Sequence, residues 1–382
     1  MLRDVLTNRR LWVALLGFAF CLIFVARSGL SFNRHDDFSV HRARVLYVDN
    51  SRLSPDPAVE NLYLGRQVLE IEILSGDFVG QRFRMENTLS RFFNIMAREN
   101  MEMLFQLSTQ DGQVVHITTF GHSRGNFMYV FLGLFALVLI VVGRKKGFYA
   151  VLSLIFTLSL VVFFMIPLIL DGRNPVLLAI VVAALTAVFT FLLVGDTIMK
   201  SFAAIGGTIT GVAIAGIVGI VAGRFAHISG LHLEHAQEVM HQGGMDIVIR
   251  LPLLLFAGII IASLGAVMDV GMSISSSVFE LKKLNEGLGF KELYKSGMNI
   301  GRDIIGTMTN TLILAFAGTS LTVLIIIALY ELPYLRLINM DLLAVEVIQG
   351  VSASIGLVLT VPVTAFFAAF LAAGNFKMSK AA

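Results

Sequence analysis

Residues 258–320 read GIIIASLGAVMDVGMSISSSVFELKKLNEGLGFKELYKSGMNIGRDIIGTMTNTLILAFAGTS. Two apolar runs are joined by a short basic segment, and each run carries ionisable residues inside or at its edge. Asp269 lies between Met268 and Val270 in a stretch otherwise made of apolar and small residues. Arg302 and Asp303 open the second run, with Thr307, Asn310 and Thr311 one to two turns deeper. At helical spacing Asp269 and Ser273 share a face, as do Asp303 with Thr307 and Thr307 with Thr311. An ionised carboxylate at mid-bilayer costs about 2.5–3.5 kcal/mol on insertion scales, so such residues are rare and mark ion or substrate paths by default. If a span starts at Leu251, Asp269 lies about 27 Å along it at 1.5 Å per residue.

Composition agrees with that reading. Of 382 residues, 56% are hydrophobic and 14% charged, with mean hydropathy +0.81. A soluble domain carries close to a quarter charged residues, so a polytopic membrane protein is predicted. The single cysteine, Cys21, excludes an intramolecular disulfide and leaves little room for cysteine-based metal or redox chemistry.

Outward from the central stretch, runs of roughly 20 apolar residues mark further spans. They fall at Phe127–Gly143, Phe148–Leu170, Pro175–Val194, Phe202–Gly223, Leu251–Ser277, Ile304–Leu329 and Gly350–Gly374. A basic start with Arg3, Arg9 and Arg10 followed by Leu11–Ala26 reads as a retained signal anchor. That makes about eight spans. Arg144-Lys145-Lys146, Lys200, Lys282-Lys283 and Lys377 fall on the side of the N-terminus, and the opposite short loops hold mainly Arg173, Arg224 and Arg336. The positive-inside rule then puts both termini in the cytoplasm.

Residues 38–122 differ. Charges are frequent and apolar residues alternate, as in Arg66–Leu74 (RQVLEIEIL). Similar runs at Ala43–Val48, Gln81–Glu86, Met103–Leu107 and Val114–Thr119 are separated by Gly- and Asp-containing turns. Five short strands suggest a small extracytoplasmic all-β domain, OB-like, inserted after the first span. Tyr47, Phe78, Phe83 and Phe105 read as its core rather than as a nucleic-acid platform. The expected domains are therefore 1–37 (N-terminus and anchor), 38–122 (β domain) and 123–382 (seven-span membrane domain).

Two further features invite functional readings. Gly207, Gly211, Ala215, Gly219 and Gly223 recur every four residues, a helix-packing stripe that lets a neighbouring backbone come close. His227, His232, His235 and His241 cluster in one loop, but their spacing makes no tight metal-ligand set, and a solvent-facing amphipathic segment is expected. Neither a Walker loop, a G-x-S-x-G elbow nor an H-E-x-x-H helix is present, so no enzyme, cofactor or metal site is expected.

The strings Gly265–Val270 (GAVMDV), Met272–Ser276 and Ser296–Asn310 (SGMNIGRDIIGTMTN) resemble the YibE/F family of bacterial membrane proteins. The anchor, the outer β domain with ILSGDFVGQ at Ile73–Gln81 and the later spans follow the same pattern. The resemblance implies a multispan protein of the bacterial inner membrane. Residues 258–320 are also similar, more faintly, to the membrane halves of resistance–nodulation–division transporters and of SecD/SecF. In those families polar intramembrane residues relay protons, and Gly265–Asp269 and Arg302–Thr311 take the corresponding places.

These readings lead to an ion- or proton-coupled secondary transporter of unidentified substrate. Asp269, Arg302 and Asp303 would couple, and Ser273, Thr307, Asn310 and Thr311 would line the route. The alternative is a non-transporting membrane scaffold whose outer β domain binds a protein partner. Expected partners are the lipid bilayer, a small molecule or ion, and a second copy of the chain or an outer-domain partner, with no nucleic acid.

Overall fold

The computed structural model describes residues 17, 19, 38–110, 113–230, 251–330 and 332–374. Of the expected anchor only Gly17 and Ala19 are among them, and three of the four loop histidines, His232, His235 and His241, lie outside. The chain divides at Leu139 into two compact units.

The first unit is built on an antiparallel sheet of five strands, β1 (Phe38–Pro55), β2 (Tyr63–Ile73), β3 (Arg82–Leu89), β4 (Glu102–Gln110) and β5 (Gln113–His122). Each expected run coincides with one of them, except that Leu74 falls just after β2 and Gln81 just before β3. The order is β3-β2-β1-β4-β5, so the long β1 is paired on both sides. The sheet is open and curled, a half-barrel and not a closed one, since the ladder that would join β3 to β5 is absent among the described residues. One face buries Ala43, Val45, Leu69, Ile71, Met103 and Phe105, each at every second residue of its strand. Phe78 and Phe83 pack against that core, but Tyr47 is 53% exposed. A register shift between Val45 and Tyr47 explains the difference: the extra residue reverses the alternation, and Val48 turns inward instead. Gln67, fully buried, donates to Asn50 Oδ1 (2.7 Å) and accepts from Asn87 and from the Ala97 amide, tying the β3–β4 connection to the sheet.

The membrane unit is a bundle of long apolar helices. We label them α1 (Gly125–Leu170, whose first residues belong to the other unit), α2 (Pro175–Val194), α3 (Ile198–Phe225), α4 (Leu251–Leu284), α5 (Phe290–Thr319), α6 (Leu321–Leu329), the short α7 (Tyr334–Ile338) and α8 (Asp341–Ala373). Among the described residues five helices are long and apolar enough to cross a membrane, or six if α5 and α6, bent by 61°, form one span. The two expected spans Phe127–Gly143 and Phe148–Leu170 lie on one 46-residue stretch, broken at Arg144 (φ 50°, ψ −128°). Gly147 follows the break with its backbone against the Leu139 carbonyl, where a Cβ would lie 1.9 Å from the oxygen.

Local chemistry sets the ends. Asn174 caps α2 by accepting from Val176 and Leu177 amides, with Pro175 in the first turn, where its missing N–H costs nothing. After α4, Lys282 donates to the Glu286 and Leu288 carbonyls (2.6 and 2.9 Å), fixing the turn into α5. In the bundle α8 packs against α3, α4 and α5, while α2 packs against α3 and α4.

Candidate functional site

α4 runs without interruption from Leu251 to Leu284. Asp269 therefore sits eleven residues before Glu280, about 16 Å back along the axis. The turn into α5 brings the two helices together antiparallel. Gly301 lies where a Cβ would be 2.2 Å from Val361 Cγ1 and 3.3 Å from Ile274 Cδ1. A Cβ on Gly297 would be 3.0 Å from Val278 Cγ2 and 3.1 Å from the Ala365 Cβ. Residue 274 is thus level with 301, and 278 with 297. By the same register Asp269 is level with about Gly306, one turn from Arg302 and Asp303.

The inward faces of both helices are mainly apolar, with Val267, Val270, Ile274 and Val278 beside the buried hydroxyls of Ser263 and Ser275 on α4, and Leu293 and Leu312 on α5. The polar residues singled out in the sequence lie on the other faces. Asp269, Ser273, Arg302, Asp303, Thr307, Asn310 and Thr311 are all exposed in the single chain. Arg302 donates to Asn299 Oδ1 (3.1 Å) on its own helix. Thr307 and Thr311 donate back to the carbonyls of Ile304 (3.1 Å) and Thr307 (2.9 Å). Among the described residues the Asp269 and Asp303 side chains make no hydrogen bond or ion pair, and Arg302 pairs with neither.

The α3 stripe lies against α8. A Cβ on Gly207 would stand 1.8 Å from Thr364 Oγ1, and one on Gly211 would stand 1.8 Å from Thr360 Oγ1 and 3.0 Å from the Gly356 carbonyl. Ala215 meets Gly356, and Gly219 faces Ser352 and Ile259. Gly223 instead meets the Phe256 ring of α4. The facing line on α8 (Ser352, Gly356, Thr360, Thr364) has the same four-residue period. It was readable in the sequence by the rule applied to α3 but was not singled out.

Two polar contacts within the bundle also went unread. Lys200, 4% exposed, donates to Glu280 Oε1 (2.7 Å), and Ser275 donates to the Lys200 carbonyl (2.8 Å). As sequence, Lys200 looks like one more cytoplasmic loop cation. The other contact is at the bend. Ser320, between α5 and α6, donates to the Glu346 carboxylate of α8. Around them Phe316, Ala317, Leu324, Leu343 and Val347 line a cavity of about 220 Å³. Glu346 stands between Val345 and Val347, the same signal of an acid in an apolar run that drew attention to Asp269.

The family model described as YibE/F-like protein matches residues 131–374, most of the chain and all of the helices from the second turn of α1 to the end of α8. The chain belongs to this family. No curated protein and no solved structure matches it.

Proposed function

We propose that this YibE/F-family membrane protein is an ion- or proton-coupled secondary transporter, and the broken span α5–α6 with the Glu346 carboxylate at its break carries the reading. Transporter sites are built where a span is discontinuous, because the freed helix ends and a nearby polar side chain offer ligands at membrane depth. Here the 61° bend at Ser320 supplies the discontinuity, and Glu346, reaching across from α8, supplies an acid among apolar side chains. Protonation of that carboxylate would remove the charge that strengthens its hydrogen bond with the Ser320 hydroxyl and so loosen the bend. Asp269, Arg302 and Asp303 act as further coupling groups, with Ser273, Thr307, Asn310 and Thr311 on the same faces. Counting Leu11–Ala26 as an anchor and α1 as two spans about Arg144 gives eight crossings, both termini in the cytoplasm and an inner-membrane location. The reading is tested in proteoliposomes with an entrapped pH dye, driven by a potassium gradient and valinomycin. Wild-type protein should carry proton flux that Glu346→Gln abolishes and Asp269→Asn reduces. Wild-type flux equal to that of empty vesicles, or equal flux from Glu346→Gln, refutes it.

A second reading, a scaffold that binds a partner through the outer domain, is favoured by the open sheet. Its edge strands β3 and β5 flank a hollow of about 560 Å³ lined by Asn87, Phe93, Ile95, His116 and Phe120. β1 is paired on both sides, and the seam between β3 and β5 is left for an added strand. Deleting residues 38–122 should then abolish cross-linking to the partner while the membrane domain still inserts.

A further inference from the structure

We infer that the chain functions as a two-fold homodimer in which Asp269 of each copy is paired by the partner's Arg302. The observation is the outward placement of opposite charges about one helical turn apart in depth, unpaired among the described residues. Asp269 on α4 and Arg302 on α5 are both exposed, and among the described residues of one chain neither answers the other. Charges at membrane depth face protein rather than lipid, so these faces need a cover. The cover must bring a cation to Asp269 and an anion to Arg302.

A second copy does both. Closed dimers are isologous, each surface meeting itself with exchanged residues. A two-fold axis along the bilayer normal preserves depth. Asp269 therefore arrives level with the partner's Gly306, about one helical turn from the partner's Arg302, a distance that the long guanidinium arm spans. The shape of α4 allows the approach. Its outward line is Gly258, Ala262, Gly265, Asp269 and Ser273, all small apart from the acid, and Cβ atoms on Gly258 and Gly265 would meet nothing within 4 Å. Gly306 on the outward side of α5 is open in the same way. Small residues let two helices come close enough for polar side chains to bond across them. The inference does not depend on transport, since a scaffold would dimerise through the same faces.

The test uses full-length protein in native membranes, with Cys21→Ser as background and Ala262→Cys as reporter of the α4–α4 contact. Oxidation should give a dimer band. Asp269→Arg alone and Arg302→Asp alone should each lose it, by placing like charges opposite one another. Co-expression of these two single variants under different tags should restore a mixed dimer, because each cation then meets an anion on the other copy. Restoration only when both changes sit in one chain would mean that the pair forms within a chain, and would overturn the inference. So would an undiminished band from either single variant. Should the charge variants fail to accumulate, the mass of the wild type in detergent decides: two chains are expected, and one refutes the dimer.

Discussion

Replacing Gly356 by alanine is the most direct probe of how the bundle is held. A Cβ there would stand 2.6 Å from the Ala215 Cβ and 2.7 Å from the Gly211 carbonyl oxygen. Carbon atoms pack best at about 3.5–4.0 Å, so the new methyl is about 1 Å too close. Neither obstacle can rotate away, since one is a methyl fixed to the backbone and the other is backbone. The axes of α3 and α8 must part, and parting loosens Gly207 from Thr364 and Gly211 from Thr360. Overpacking of this kind costs about 1–3 kcal/mol, or roughly 2–4 °C in midpoint for each kcal/mol. Thermal unfolding in detergent, followed by far-ultraviolet circular dichroism, measures it. Gly133→Ala, where a Cβ meets nothing within 4 Å, serves as control and should not fall. Adding Ala215→Gly should recover part of the loss but not all, because the carbonyl contact persists. A Gly356→Ala protein that unfolds with the wild type would refute the packing argument.

Three further outcomes are expected. The Asp56 carboxyl is held below its ordinary pKa by the Arg91 hydrogen bond (3.0 Å from Nη2) and then by the Ala58 amide (2.7 Å). Its stabilising effect is complete above the unfolded value of about 3.9 and is lost as pH falls through the lower folded value. Protection of the Ala58 amide, measured against its intrinsic exchange rate, should therefore fall below about pH 4 in the wild type, and be low already at neutral pH in Asp56→Asn. Glu280→Gln should destabilise the bundle more than Lys200→Met does, since the first strands a buried ammonium and the second removes it; thermal midpoints in detergent rank the two. Arg144 holds a backbone conformation that suits glycine, so Arg144→Gly should gain about 1 kcal/mol in the same assay.

The strands of the sheet were legible because alternation and Gly/Asp turns are local, and no run overran its strand by more than one residue. Tyr47 was misplaced because a bulge depends on the partner strand, which periodicity along β1 cannot reveal. The apolar helices were legible for the same local reason. The join of two expected spans into one stretch broken at Arg144 was not, since a backbone torsion leaves no mark in hydropathy. For the candidate site the sequence identified polar residues and their shared faces, but not which way those faces turn. Asp269 and Arg302 look inward by rule, and only the packing of Ile274, Gly301 and Val361 fixes them outward in one chain. Glu346 and the Ser352–Thr364 line carry the same local signals, but which helix each meets is set by the packing of α8 against α3 and by the bend at Ser320.

The seam between α3 and α8 has a mechanical consequence. Glycine backbones set against threonine side chains leave no slack to absorb a displacement, so the two helices must tilt as a single rod. Glu346 rides on that rod and grips the elbow at Ser320. Any motion that opens the elbow therefore travels the length of the rod, from the acid at one end to the crowded Gly207–Thr364 contact near the other.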